Sequence, residues 1–370
     1  MRAAVLHSIE DGKLIVSDDV TVLGPGPGQV RVRIRAAGVC HSDLSARNGG
    51  LPQSMPAILG HEAAGDVISV GDGVTDLAEG DRVIISWMPP CGSCPACLRG
   101  QPELCLTHLI GSYREPRFRI GDTPAWGMSG VGSFAEEIVM PRAGVVKVAS
   151  DVPHEIAALI GCGVMTGVGA VINTAKVEPG ATVVVIGCGG VGIAAIQGAR
   201  LSGAAVIVAV DTAEAKHDMA KRFGATHAVH PDQLDGARAE LTGREGFDYA
   251  FEVVGTPGTI KTAWAAARRG GTVVVVGAGR SDQQVEFTPF ELFFDGKSLL
   301  GCLYGSADVR RDFARLIALW RAGRLDLDGM ITQRVTLDQT DDALNALGRG
   351  DVIRQVIQFS LSAQSRIGFR

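Results

Sequence analysis

Cys91, Cys94, Cys97 and Cys105 stand in a C-x2-C-x2-C-x7-C array that holds half of the chain's 8 cysteines. Four thiolates so close in sequence can close a tetrahedral shell around one zinc ion. A closed shell leaves no position for substrate, so the expected role is to stabilise a loop. Iron–sulfur centres and paired disulfides also use four cysteines, and zinc is the preferred reading over both. A second group is Gly187-Cys188-Gly189-Gly190-Val191-Gly192, a G-x-G-x-x-G pattern. With 49 glycines in the chain, accidental matches are common, so context decides. The pattern follows an apolar run and opens a small-residue helix, and Asp211 ends the next apolar run. Gly187 would permit the tight turn, Gly189 and Gly190 the approach of a pyrophosphate, and Gly192 close helix–strand packing. Free N–H groups at the helix start suit phosphate oxygens. Asp211 would accept from the adenosine ribose hydroxyls and repel a 2′-phosphate, which favours NAD over NADP.

Two kinds of architecture must position these groups. Residues 2–147 carry short β-branched runs, such as 30–34, 67–70 and 82–85, cut by glycine and proline. That rhythm predicts a compact, mostly β, barrel-like unit. Residues 182–186, 206–210, 247–254 and 272–276 are apolar strands alternating with helical stretches, which predicts a doubly wound parallel α/β sheet. An amphipathic helix over 308–322 and a strand over 352–359 follow. No run reads as long enough to span a membrane, and the first ten residues lack the apolar core of a secretory leader. A cytoplasmic protein is therefore expected. The net charge of -5 gives no electrostatic drive toward nucleic acid.

A third group is Gly38-Val39-Cys40-His41-Ser42-Asp43, followed by Gly60-His61-Glu62-Ala63-Ala64-Gly65, Gly71 and Val74, and later Gly161-Cys162-Gly163. In these stretches the sequence resembles the zinc-dependent medium-chain alcohol dehydrogenases, from about residue 1 to 359. The resemblance implies a GroES-like β-barrel catalytic domain over 1–163 and 305–370, with a Rossmann dinucleotide-binding domain over 164–304. It implies Cys40, His61 and Cys162 as ligands of a catalytic zinc, with Glu62 nearby and Asp43 accepting the free ring N–H of His61. Zinc there would act as a Lewis acid on an alcohol hydroxyl before hydride leaves its carbon for NAD. Together with the four-cysteine ion this makes two zincs per chain.

The same resemblance assigns Ser42 to take the hydroxyl proton. A histidine that completes this relay in many relatives is replaced here by Ser45, so the relay is expected to end on water or another group. His41 occupies a position where many relatives carry an arginine against the pyrophosphate. Lys216 is implied at the adenosine ribose, Arg354 at the pyrophosphate, and Thr166 and Val191 against the nicotinamide. Thr166 is expected at the start of a helix that follows Cys162. Leu51, Trp87, Leu109, Met128, Ala278 and Leu303 would line a substrate pocket suited to medium-sized hydrophobic primary alcohols or their aldehydes. For Met128 and Leu303 ordinary core packing is an equal reading. Glu252 is read either as an outer neighbour of the zinc or as half of an ion pair.

Two rival functions remain. A thiol-adduct (S-hydroxymethyl) formaldehyde dehydrogenase would want a basic residue near Leu109 and an acidic one near Leu51, and neither is present. A non-catalytic zinc protein that senses NAD is the rival from another class. The long segment over 113–127 resembles dimeric relatives more than tetrameric ones, so a homodimer is expected, with an apolar strand near 299–304 pairing across a two-fold axis.

Overall fold

The computed structural model describes residues 1–350 and 352–359, apart from the side chain of Leu109. Residues 360–370 of the expected catalytic domain lie outside the described residues. The strand Gln29–Val39 organises the β half. Its first residues alternate, with Val30, Val32 and Ile34 buried and Arg31 and Arg33 facing outward to share Glu137. From Ala36 onward it is buried on both faces, because another element covers the outer side. It lies in a sheet ordered Val145–Lys147, Arg82–Ile85, Ala63–Val70, Gln29–Val39, Arg354–Gln358, Ile331–Val335, and Glu137–Pro141 also pairs with the long strand.

Register in this sheet places the chemistry. Ala37 pairs with Ala63, Ala63 with Ile85, and Val39 with Gln355. Cys40, the pair His61 and Glu62, Trp87 and Arg354 therefore all fall at neighbouring strand ends along one edge of the sheet.

The second half is a parallel sheet ordered His227–Val229, Val206–Val210, Thr182–Ile186, Phe247–Glu252, Ala267–Val275, Ser298–Gly301. The chain winds outward from Thr182–Ile186 first in one direction and then in the other. The crevice beyond that strand's carboxyl end is the usual ligand position in such sheets. The Gly187 turn and Asp211 both emerge there.

A helical stretch of 22 residues, His154–Ala175, joins the halves. By length and composition it is apolar enough to cross a membrane, but 83% of its apolar window is buried inside the protein. It is a core helix, and it differs from the expectation that apolar runs are all strand-sized. Cys162 lies within it rather than before it, and Thr166 is one turn further along, not at a helix start. Glycines 161, 163, 167 and 169 read locally as breakers. Their reason is contact: a Cβ on Gly163 would strike the Arg354 guanidinium, one on Gly167 the Val191 carbonyl, and one on Gly169 the Gly305 carbonyl. Burial against neighbouring backbone outweighs the weak helix propensity of glycine.

Candidate active site

Cys40 is the N-cap of the short helix His41–Arg47, whose third residue is Asp43. The Asp43 carboxylate, fully buried, accepts from the Cys40 N–H at 2.9 Å and the Gly60 N–H at 3.1 Å. It also meets His61 Nδ1 at 2.9 Å. One side chain thus caps a helix, ties two strand ends together and turns His61 so that Nε2 faces away. Nε2 lies 3.3 Å from Cys162 Sγ, and the ligand atoms of Cys40, His61 and Cys162 all fall within 4.8 Å of one another. Two sulfurs and one imidazole nitrogen in that space suit a three-ligand zinc site with one position open. A hydrogen bond from Cys162, with the His61 and Arg354 charges, holds the Cys40 thiol well below its usual range despite burial. The same contact and burial push Cys162 well up. Burial opposes protonation of His61, but the Asp43 charge and hydrogen bond together with Cys40 raise it well above its ordinary value. Ser42 Oγ stands 3.9 Å from Cys40 Sγ.

Glu62 fits into space that Gly38 leaves by lacking a side chain. It accepts from the Gly163 N–H at 3.3 Å and is paired with the buried Arg354 guanidinium. Burial raises the Glu62 carboxyl above its usual range against the pull of Arg354. Arg354, expected at a pyrophosphate, spends one terminal N–H on Glu62. Its stem crosses the space a Gly190 side chain would fill, and its buried Nε has no hydrogen-bond partner among the described residues. A cationic donor left open beside the glycine turn fits a dinucleotide phosphate.

The turn has the shape the pattern requires. Gly187 sits at φ +101°, and a Cβ on Gly192 would overlap the Gly187 carbonyl oxygen. Asp211 accepts from the Cys188 N–H at 2.8 Å and the Ala213 N–H at 2.9 Å. Lys216 Nζ lies 3.5 Å from the same carboxylate. His41 opens its helix, and desolvation, opposed by the Cys40 charge and aided by Lys216 and Arg354, holds its imidazole below the usual value.

The other four cysteines also gather within 4.8 Å of one another, and Cys94 and Cys105 are 3.9 Å apart at sulfur. Tetrahedral zinc with bonds of about 2.3 Å separates its sulfurs by roughly 3.8 Å, so the set fits that ion. The Cys91 thiol is drawn down to about 5 by the Ser93 N–H and other local donors.

Sequence and fold comparisons agree with this geometry. The chain matches the alcohol dehydrogenase GroES-like domain over residues 26–150 and the zinc-binding dehydrogenase domain over 190–321. It is 37% identical to the alcohol dehydrogenase class-3 of Cereibacter sphaeroides, with 97% of this chain and 100% of that one covered. The S-(hydroxymethyl)glutathione dehydrogenase of Paracoccus denitrificans is 35% identical at 97% and 100% coverage. The benzyl alcohol dehydrogenase of Acinetobacter calcoaceticus superposes with a TM-score of 0.89 at 31% identity, covering 97% of this chain and 99% of that one. The chain belongs to the zinc-dependent medium-chain alcohol dehydrogenase family. Its fold is the GroES-like β unit plus Rossmann sheet of that family, and it is an enzyme of the alcohol dehydrogenase class.

Within this alcohol dehydrogenase fold the expected pocket residues scatter. Trp87 is edge-on to His61, with ring centroids 6.2 Å apart. Leu51 is half-buried against the β core, and Met128 lies inside that core at 4% exposure, as the packing reading has it. Ala278 and Leu303 are exposed. Leu109 falls in the helix Leu106–Arg114, and its side chain lies outside the described residues. Thr166 and Val191 are half-buried on the two helices that pack beside the glycine turn. Glu252 makes no ion pair among the described residues; it accepts from the Val254 and Gly255 N–H groups and the Thr259 hydroxyl, and so caps a turn.

Sequence reasoning missed Tyr304. Its ring packs 4.7 Å from Trp87, and its hydroxyl donates to the Gly161 carbonyl at 2.5 Å, one residue before Cys162. It steadies the helix that carries this cysteine. The only signal was a lone tyrosine after an apolar strand, which spacing cannot interpret.

Proposed function

We propose that the protein interconverts medium-sized hydrophobic primary alcohols and their aldehydes, with NAD(H) as hydride partner. The observation that carries this reading is the Cys40–His61–Cys162 cluster, oriented through Asp43 and faced by Trp87. One zinc would be held by that cluster and a second by Cys91, Cys94, Cys97 and Cys105. Zinc at the first site supplies Lewis acidity that makes a hydroxyl proton easier to lose. The chain's own groups do the rest. Asp43 fixes the His61 tautomer, Ser42 receives the proton, and with Ser45 in place of a histidine the proton passes on to solvent. Arg354 and the 187–192 turn hold the pyrophosphate, and the Asp211 carboxylate takes the ribose hydroxyls in preference to a 2′-phosphate. His41, Lys216, Thr166 and Val191 complete the cofactor surface. Glu62 keeps Arg354 in place beside the metal cluster.

We divide the chain into a catalytic unit, 1–163 with 305–370, and a cofactor unit, 164–304. We also assign it to the cytoplasm. As a homodimer it would pair the sheet-edge strand Ser298–Gly301, where Leu299 is exposed, with Phe290 and Phe293 exposed on the helix Pro289–Asp295 before it. Gel filtration with light scattering reads this directly, and a monomer or tetramer mass would contradict it.

A second reading has one observation in its favour: several relatives at 35–37% identity are named for the glutathione adduct or class 3. A steady-state panel of benzyl alcohol, ethanol and S-(hydroxymethyl)glutathione, each with NAD and NADP, separates the two. Benzyl alcohol should exceed the adduct at least tenfold in kcat/KM; the reverse order would replace the first reading by the second.

A further inference from the structure

Beside the four-cysteine loop lies a cleft of about 880 Å3, walled by Pro90 and Cys91 of that loop, the helix Leu106–Arg114 and the turn that carries Arg142. Neither the Cys40–His61–Cys162 cluster nor the glycine turn lines it. Its volume is within the range of small-molecule sites, about 300–1,000 Å3.

Four cations line the cleft, Arg117, Arg142, Lys147 and Arg310, against one carboxylate, Glu115. Three of the four already have close partners elsewhere. Arg142 Nε is 2.8 Å from Asp76, Lys147 Nζ 2.6 Å from Asp81, and Arg310 Nε 2.9 Å from Asp308. Arg117 differs. It is only 8% exposed, and its Nε is buried with no hydrogen-bond partner among the described residues. Its one ion pair among the described residues, with Glu115, spans 3.6 Å, too long for a hydrogen bond, and the Glu115 side chain is 66% exposed. Desolvation lowers the Arg117 pKa from its ordinary value, and Glu115 offsets this only in part.

A buried guanidinium with an open donor is costly unless an anion or acceptor reaches it. Its planar fork matches the oxygens of a carboxylate or phosphate and can hold two at once. The remaining cations are each compensated by an aspartate, which leaves Arg117 as the guanidinium free to take the anion, and Pro90 and Val146 offer apolar surface for the rest of a ligand.

We propose that this cleft binds a small anionic molecule through a phosphate or carboxylate group seated on Arg117, at a site separate from catalysis. The alcohol and cofactor chemistry has no use for it, so an occupant would act as an effector that ties the cysteine loop to the β unit.

The test is calorimetric titration of the zinc-loaded protein, saturated with NADH so that the cofactor's own phosphate position is filled. Inorganic phosphate and succinate are the two probes, in a constant chloride background. The wild-type protein should bind at least one of them, phosphate alone indicating a phosphoryl ligand and succinate alone a carboxylate. Arg117→Gln should weaken that binding at least tenfold, and Arg310→Gln, on an exposed side chain, about threefold. Crystals of the wild type soaked in selenate should show an anomalous peak in the cleft, a readout that does not depend on Arg117→Gln folding. Equal titrations for wild type and a folded Arg117→Gln protein, or no selenate peak in the cleft, would overturn the proposal.

Discussion

Replacing Asp43 by asparagine isolates what one buried charge does for the metal cluster. The carboxylate takes three contacts, from Cys40 N–H, Gly60 N–H and His61 Nδ1. An asparagine of the same shape has one acceptor oxygen, which serves best where Gly60 and His61 converge on Oδ1. Its NH2 then faces the Cys40 N–H, donor against donor. An orphaned buried donor costs about 1–3 kcal/mol, and the two surviving bonds fall from charge-assisted strength to about 1 kcal/mol each. The total loss is therefore on the order of 2–7 kcal/mol of stability. His61 also loses the partner that fixes its tautomer, and outer partners of this kind are worth about 10–100-fold in metal affinity. Competition with a chromogenic chelator, calibrated against release from the four-cysteine site, reads the affinity. Urea unfolding reads the stability. A variant that holds the catalytic zinc within twofold of wild type and unfolds at the same urea concentration would refute the reasoning.

Gly192→Ala should lower NADH affinity more than tenfold in a fluorescence titration, because its methyl group overlaps the Gly187 carbonyl and the turn must open. Asp211→Ala should shift the NADP-to-NAD ratio of kcat/KM toward NADP, although loss of the Cys188 and Ala213 contacts will weaken both cofactors. Asp66 is held below its ordinary pKa: Arg35 at 2.7 Å and His154 at 2.9 Å outweigh the opposing effect of burial. A carboxyl lowered on folding stabilises the protein above its unfolded pKa of about 3.9 and loses that contribution as pH falls through the folded value. The urea midpoint of Asp66→Asn should therefore lie below wild type at pH 7, with the gap closing below about pH 4. A gap that did not narrow as the pH fell below 4 would contradict the ion-pair account.

The sequence by itself determined the features whose parts are close along the chain. The four cysteines meet because their spacing leaves them little alternative, and the 187–192 turn follows from glycines that alone tolerate φ +101° and backbone contact. Strand periodicity was also enough to separate the β half from the parallel sheet. The ligand trio was legible only through family resemblance. Its members come from separate strands and a helix, and nothing local states that Ala37 pairs with Ala63 or Val39 with Gln355. Three features were decided in the folded chain alone: the single helix through Gly161 and Gly169, the Tyr304 bond to Gly161, and the Glu62–Arg354 pair. In each, a residue with an ordinary local preference is held by a neighbour far away in sequence. Glycine accepts a helix because opposing backbone leaves room for nothing larger. Arg354 reaches Glu62 across the strand that lies between them, where Gly38 leaves room, and its Nε–H is left without a partner beside the glycine turn.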